Sequence, residues 1–238
     1  MAMSRFTVAS FCLLAAATLA CASAGASSEP GSAHNPEHDL PLIVAAGRGD
    51  LAQVERLLAQ GASVSAVDPR QRTALVAAAY GAHLEVARVL LAAGSDVNVQ
   101  DDTRQSAYLI ATSEIGDSER ALEFLRLVLS SGADVHGLDS YNGTGLIRAA
   151  DRGFVEIVRE LLKTSIVVDH VNRLGWTAIL EAIILGTGDP KRMEVVRLLV
   201  DAGANVNLAD RNGVSPIQHA RSKGYSGMAS ILEAAGAR

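Results

Sequence analysis

Few side chains in this sequence could do chemistry, and their spacing says little for it. Asp68, Asp101, Asp139 and Asp210 recur at intervals of 33 or 38 residues, or their sum. A calcium cage needs six or more oxygens converging on one loop, whereas these aspartates come one at a time. Each instead suits a tight turn, where a short carboxylate accepts from the backbone two residues on. His219 stands beside Gln218, but a catalytic histidine needs a nucleophile and an orienting acid, and none is nominated nearby. His34 and His38 flank Pro36 without a further His or Cys, so no metal is expected there. Cys12 and Cys21 both lie near the N-terminus, which leaves no thiol downstream for a disulfide, a zinc site or nucleophilic attack. The sequence has no G-x-S-x-G, no H-E-x-x-H and no phosphate-cradling glycine loop. These observations predict neither an enzyme nor a cofactor.

The elements that would position a binding site are plainer. Asn172 to Asp210 begins NRLGWTAILEAIILG and ends EVVRLLVDAGANVNLAD. Ile179, Ala182 and Ile183 fall at helical spacing, as do Val195, Val196, Leu198, Leu199 and Val200. Each helix is too short to stand alone, so its apolar face must pack on a partner helix and on neighbouring units. Thr177 is placed to accept from a free N–H at a helix start, and Gly203 to close the second helix in a left-handed conformation. Gly203→Ala is expected to cost about 1 kcal/mol in chemical denaturation, because alanine resists that conformation.

The unit repeats. The chain divides into 39–67, 68–100, 101–138, 139–171, 172–209 and 210–238. Two periods are 33 residues and two are 38, the surplus of five lying between the helices near Glu114 to Arg120 and Gly186 to Arg192. Each insertion could be a contact surface or a solvated linker. The segments TALVAAA, SAYLIAT, TGLIRAA, TAILEAI and SPIQHAR match T-P-L-H-x-A-A in part, and the 33-residue period agrees. The chain thus resembles the ankyrin repeat family over about 200 of its 238 residues. The resemblance implies an all-α solenoid of about six helix-turn-helix repeats with hairpin-like loop tips. The family histidine is replaced by Ile43, Val76, Leu109, Ile147, Leu180 and Gln218, so its Thr–His hydrogen bond is lost. The tip glycine survives at Gly175 and Gly213, but Gln71, Arg104 and Asn142 stand there elsewhere and predict strain or another turn. Ser165 replaces the glycine expected after the fourth unit's second helix.

Residues 1–24 read as a secretory signal peptide: Arg5, then apolar Phe6 to Ala20, then A-x-A sites around Cys21 to Ala26. The apolar run is shorter than the ~20 residues of a membrane span. Thr18-Leu19-Ala20-Cys21 resembles a lipobox, with its leucine one place too near the cysteine, which makes lipid anchoring at Cys21 the alternative. Residues 25–38 read as a flexible leader. A net charge of −5, or −6 once Arg5 is removed, argues against nucleic acid as a partner.

Family resemblance implies that protein partners meet the loop tips and the open face of the first helices. By position this nominates Arg70, Arg72, Asp102, Gln105, Tyr141, Arg173, Leu174, Trp176, Arg211 and Asn212 on the tips. On the helix face it nominates Tyr80, Glu114, Arg148, Asp151, Arg152, Glu181 and Leu185. Trp176, the only tryptophan, is either an exposed hot spot or packed on the neighbouring tips over Tyr141 or Leu174. Arg148 and Arg173 either face a partner or neutralise Glu181. The expectation is a monomeric, periplasmic, non-enzymatic module that shields, assists or inhibits an envelope protein, in keeping with a similarity to secreted ankyrin proteins of Gram-negative bacteria. The alternatives are an immunity protein that blocks a toxin or hydrolase, an enzyme hidden on the scaffold, and a host-targeted effector.

Overall fold

The structure is a computed structural model and describes residues 35–238. The segment expected to be a signal peptide, both cysteines, His34 and most of the stretch expected to be a leader lie outside the described residues. Among the described residues a single 3-10 turn, Pro36–His38, leads into twelve helices in six pairs. These are α1 (Asp39–Arg48) with α2 (Leu51–Ala59), α3 (Ala74–Tyr80) with α4 (Leu84–Ala92), and α5 (Ala107–Ser113) with α6 (Glu119–Ser130). Then come α7 (Gly145–Arg152) with α8 (Val155–Leu161), α9 (Ala178–Ile184) with α10 (Pro190–Asp201), and α11 (Pro216–Ser222) with α12 (Ser226–Ala234). Among the described residues there is no strand. The odd-numbered helices pack one on the next in a row, and the even-numbered helices form a second row behind them. The fold is the all-α repeat solenoid that the sequence leads one to expect.

One large residue recurs at the same core position in each repeat of the first row. Leu42, Leu75, Tyr108, Leu146, Ile179 and Ile217 occupy equivalent positions, and all are buried. Tyr108 is bulkier than its counterparts and donates from its hydroxyl to the Val135 carbonyl, 3.3 Å away. Space for it comes from Gly145 in the next repeat, where a Cβ would clash with the Tyr108 hydroxyl. Burial is highly repetitive, so each repeat is stabilised mainly by its two neighbours.

Local chemistry starts and stops the helices. Thr73, Ser106, Thr144 and Thr177 each accept from the N–H three residues on. The second helices of the longer repeats also have side-chain caps, Ser118 and Asp189, both supplied by the inserted loops. Asp189 accepts from the N–H groups of Lys191 and Arg192, both at 3.1 Å. Its pKa is about 2: burial alone would raise it, but hydrogen bonds from the Arg192 N–H, the Thr187 hydroxyl and the Arg192 guanidinium outweigh that. Asp189→Ala should therefore cost about 1–2 kcal/mol near neutral pH. The carboxylate's contribution is present above the ordinary pKa of 3.8 and lost as pH falls through about 2, so wild type and variant should converge in acid denaturation.

Gly203 has φ +85°, with open space where a Cβ would go, so the predicted cost of Gly203→Ala is one of backbone conformation alone. The Ser165 exit is different. α8 ends at Leu161, and the Thr164 N–H and hydroxyl both donate to the Leu161 carbonyl, at 3.0 and 2.6 Å. A hydroxyl-closed turn thus replaces the glycine cap.

Candidate protein-binding surface

Each loop tip is built on one acidic or amide side chain. Oδ1 of Asp68, Asp139, Asn172 and Asp210 accepts from the backbone N–H groups two and four residues on, at 2.7–3.0 Å. Asp101 does the same with Thr103 and Gln105. The aspartates are turn builders. Among the described residues no His, Cys, Asp and Glu side chains are grouped so as to hold a metal.

The tips of the second to sixth repeats, numbered here by repeat, all use the same turn, with the fourth residue at positive φ: Gln71 at 59°, Arg104 at 61°, Asn142 at 56°, Gly175 at 87° and Gly213 at 75°. Three tips therefore force a side chain into a conformation that suits glycine. Gln71→Gly and Arg104→Gly should each stabilise the protein by about 1 kcal/mol, and Asn142→Gly by less, since asparagine tolerates that region best. Urea midpoints of the three variants would show this order.

The second carboxylate oxygen of each tip finds a different partner. Asp68 Oδ2 pairs with Arg72 at 2.7 Å, and Asp101 Oδ2 accepts from the Tyr80 hydroxyl at 2.9 Å. In the last three tips the partner lies nine residues on, along the following helix. Arg148 Nη1 donates to Asp139 Oδ2 at 2.8 Å, and His219 Nε2 lies 2.9 Å from Asp210 Oδ2. At the fifth tip the polarity is reversed: Asn172 Nδ2 donates to Glu181 Oε1 at 2.6 Å. An aspartate at 172 would face another carboxylate. Burial would raise the Asp68 and Asp101 carboxyls, but hydrogen bonds from Arg72 to the first, and from Thr103 and the Gln105 N–H to the second, together outweigh it and hold both below their usual range. Asp210 is lowered too, first by the Val214 N–H.

These pairings relocate several residues expected at the surface. Gln105 is only 9% exposed and Glu181 only 5%. Glu181 does not face solvent or pair with Arg148 or Arg173. Arg148 is bound to Asp139, Ser113 and Glu114, and Arg173 donates to the Ser140 carbonyl. Arg72 is turned back on Asp68. Trp176 is half-buried and its backbone closes the fifth tip, whereas Tyr141 is 60% exposed. Of the two tip aromatics, Tyr141 is the open one.

Seven of the nominated residues converge on one hollow of about 240 Å³: Tyr141, Arg148, Asp151, Arg152, Leu174, Glu181 and Leu185. Tyr141, Leu174 and Leu185 are exposed apolar groups around it, and Arg148, Asp151 and Glu181 supply its charged lining. Ser113, Asp139 and Asn172 also line it; none is nominated for binding by the sequence, which gives Asp139 a turn role only. A signal for two of them was present, since position nine after each of the last three tips carries a group complementary to the tip residue. The remaining nominees lie elsewhere. Arg70 and Asp102 form a loose pair at 3.9 Å, Tyr80 lines a second hollow with Leu40 and Val44, and Arg211 and Asn212 are exposed on the sixth tip.

The inserted loops flank the hollow and are not solvated linkers. Glu114 Oε1 accepts from Arg148 at 3.0 Å, and Asp117 Oδ1 accepts from the Glu156 N–H at 3.2 Å. From the other side, Arg192 donates to the Asp151 carbonyl at 2.9 Å and Lys191 lies 3.9 Å from Asp117. The two longer repeats thus grip the short fourth repeat between them. Tyr225 of the last repeat donates to the Gly186 carbonyl at 2.8 Å, which anchors the second insertion.

Known proteins share this architecture. The chain is 36% identical to ankyrin repeat protein YahD of Escherichia coli K12 over 196 residues, 82% of this chain and 95% of YahD. It is 43% identical to a crystallised ankyrin repeat domain from Acinetobacter baumannii AYE, with a TM-score of 0.78, covering 83% of this chain and 98% of that one. It is also 36% identical to human cyclin-dependent kinase 4 inhibitor B over 105 residues, 43% of this chain and 72% of the inhibitor. The family description "Ankyrin repeats (3 copies)" matches residues 13–101 and 109–210. With most of its length matched, and with tips, paired helices and glycine exits in register, the chain belongs to the ankyrin repeat family.

Proposed function

We propose that this protein is a non-enzymatic binding module, exported to the periplasm, which holds an envelope protein on the tips and first helices of its third to fifth repeats. Ankyrin arrays are in general protein-interaction modules, and the hollow over the fourth repeat is the observation that carries the reading here. Tyr141, Leu174 and Leu185 leave three large apolar side chains in water beside a charged lining held by intramolecular hydrogen bonds. That combination of exposed anchors and a preorganised polar lining is what an interface core requires. The action would be steric: a stack whose repeats are locked by tip and insertion contacts masks or positions whatever it holds. The name of the human relative, an inhibitor of a kinase, is consistent with such a mode. Support for export comes from Met1 to Ala24, with their single basic residue, apolar run and small-residue sites. Among the described residues no helix is long and apolar enough to cross a membrane.

Two experiments test the reading. Residues 1–26 fused to alkaline phosphatase should give periplasmic activity, and an inactive fusion would remove the export claim. In pull-downs from envelope extract, a protein retained by wild type should be lost with Tyr141→Ala/Leu174→Ala. Equal retention by both would move the interface off this hollow.

A further inference from the structure

Glu181 is unlike the other charged groups of the hollow. Arg148 is bonded to Asp139 and Glu114, and Arg152 lies 3.9 Å from Asp151 and 4.0 Å from Glu114. Glu181 is 95% buried, lines the hollow, and among the described residues has no cation within ion-pair distance. Its hydrogen bond from the Asn172 amide engages Oε1. In the lining of the hollow the carboxylates of Asp139, Asp151 and Glu181 outnumber the guanidiniums of Arg148 and Arg152 by one. A buried carboxylate without a counter-charge is costly, and a binding site can retain one where a partner supplies the cation.

Resting on the binding reading above, we propose that the hollow receives a lysine or arginine side chain of the partner protein, its charged end paired with Glu181 and its methylene stem covered by Tyr141, Leu174 and Leu185. The chemistry fits at both ends. The three rim residues offer apolar area to an aliphatic stem, as such stems prefer. The lining offers an ion pair shielded from water, where charge pairing is stronger than on an open surface. Burial, with Asp151 and Asp139 adding to it and the Asn172 hydrogen bond opposing it, pushes the Glu181 carboxyl up to about 7. An arriving cation would relieve this directly. The hollow is also the right size for one side chain, at about 240 Å³, and too small for a folded element.

The test uses N-acetyl-arginine methylamide as probe and its neutral citrulline analogue as control, titrated at pH 8 into the purified protein and followed by amide NMR shifts. The arginine probe should move resonances of Tyr141, Leu174 and Leu185, with at least tenfold tighter binding than citrulline. Glu181→Gln, which preserves the acceptor for Asn172, should erase that difference. Equal binding of both probes, or an unchanged preference in Glu181→Gln, overturns the proposal. The pull-down separates this from the broader reading. A partner lost with Tyr141→Ala/Leu174→Ala but held undiminished by Glu181→Gln would refute the cation and leave the interface standing. Loss in both variants supports both.

Discussion

Glu181→Gln should make the protein more stable, and the gain should appear only as pH rises. In the folded chain the Glu181 carboxyl titrates near 7, against 4.5 for an ordinary glutamate. The folded state therefore holds the proton more tightly than the unfolded state does. Below about pH 4.5 both states are protonated, and the group has no effect on stability. Between about 4.5 and 7 the unfolded chain releases the proton first, so wild-type stability falls with rising pH. Above 7 the full penalty is present, on the order of 3 kcal/mol for a shift of this size. Glutamine keeps an oxygen to accept from Asn172 Nδ2 and carries no charge. Urea denaturation should find the two proteins equal near pH 4 and the variant about 2–3 kcal/mol more stable at pH 8. A difference independent of pH would mean that Glu181 acts through packing and not through its charge. A residue that weakens the fold at neutral pH yet lines the surface hollow is better placed for binding than for stability, which is the trade familiar at functional sites.

Arg148→Ala should have the opposite sign and similar size. Its guanidinium joins three elements, donating to Asp139 at the fourth tip, to Ser113 at the end of α5 and to Glu114 in the first insertion. Truncation leaves Asp139, only 4% exposed, without a counter-charge while it still accepts from Tyr141 and Gly143. Breaking one side of such a buried pair costs about 3 kcal/mol. Arg148→Lys should recover part of this, since an ammonium can meet Asp139 but cannot fork to Ser113 and Glu114 as well. Because repeats are coupled only to neighbours, the weakness should be local: amide exchange should rise most across α5 to α8, and the unfolding transition should broaden. A loss below about 1 kcal/mol would show that water reaches Asp139 and replaces the pair.

The two substitutions act on the same tip-to-helix device in its two polarities. Asp139 with Arg148 closes a charge pair inside the protein, and His219 Nε2 meets Asp210 Oδ2 at 2.9 Å in the same arrangement. Asn172 with Glu181 leaves the charge open toward the hollow. The fifth repeat therefore differs from its neighbours by one reversal, and the difference falls where the exposed apolar groups gather.

How much of this was legible in the sequence depends on how far apart the interacting groups lie along the chain. The helix pairs, the hydroxyl caps at Thr73, Ser106, Thr144 and Thr177, and the left-handed exit at Gly203 follow from residues within a few positions of one another. The sequence by itself determined these, because a cap or a turn is satisfied within one or two turns of chain. It also indicated the strain at Gln71, Arg104 and Asn142, since a turn needing positive φ declares itself by the glycines that fill it elsewhere. What only the tertiary structure decided runs between repeats: the Tyr80 hydroxyl on Asp101, Arg148 reaching back to Ser113, and both insertions closing on the fourth repeat. The same holds for exposure. Glu181 and Tyr141 were both nominated for an open face, yet one is buried and the other stands in water. A side chain's burial is set by the neighbouring repeat, tens of residues away, and pattern within one repeat does not contain it.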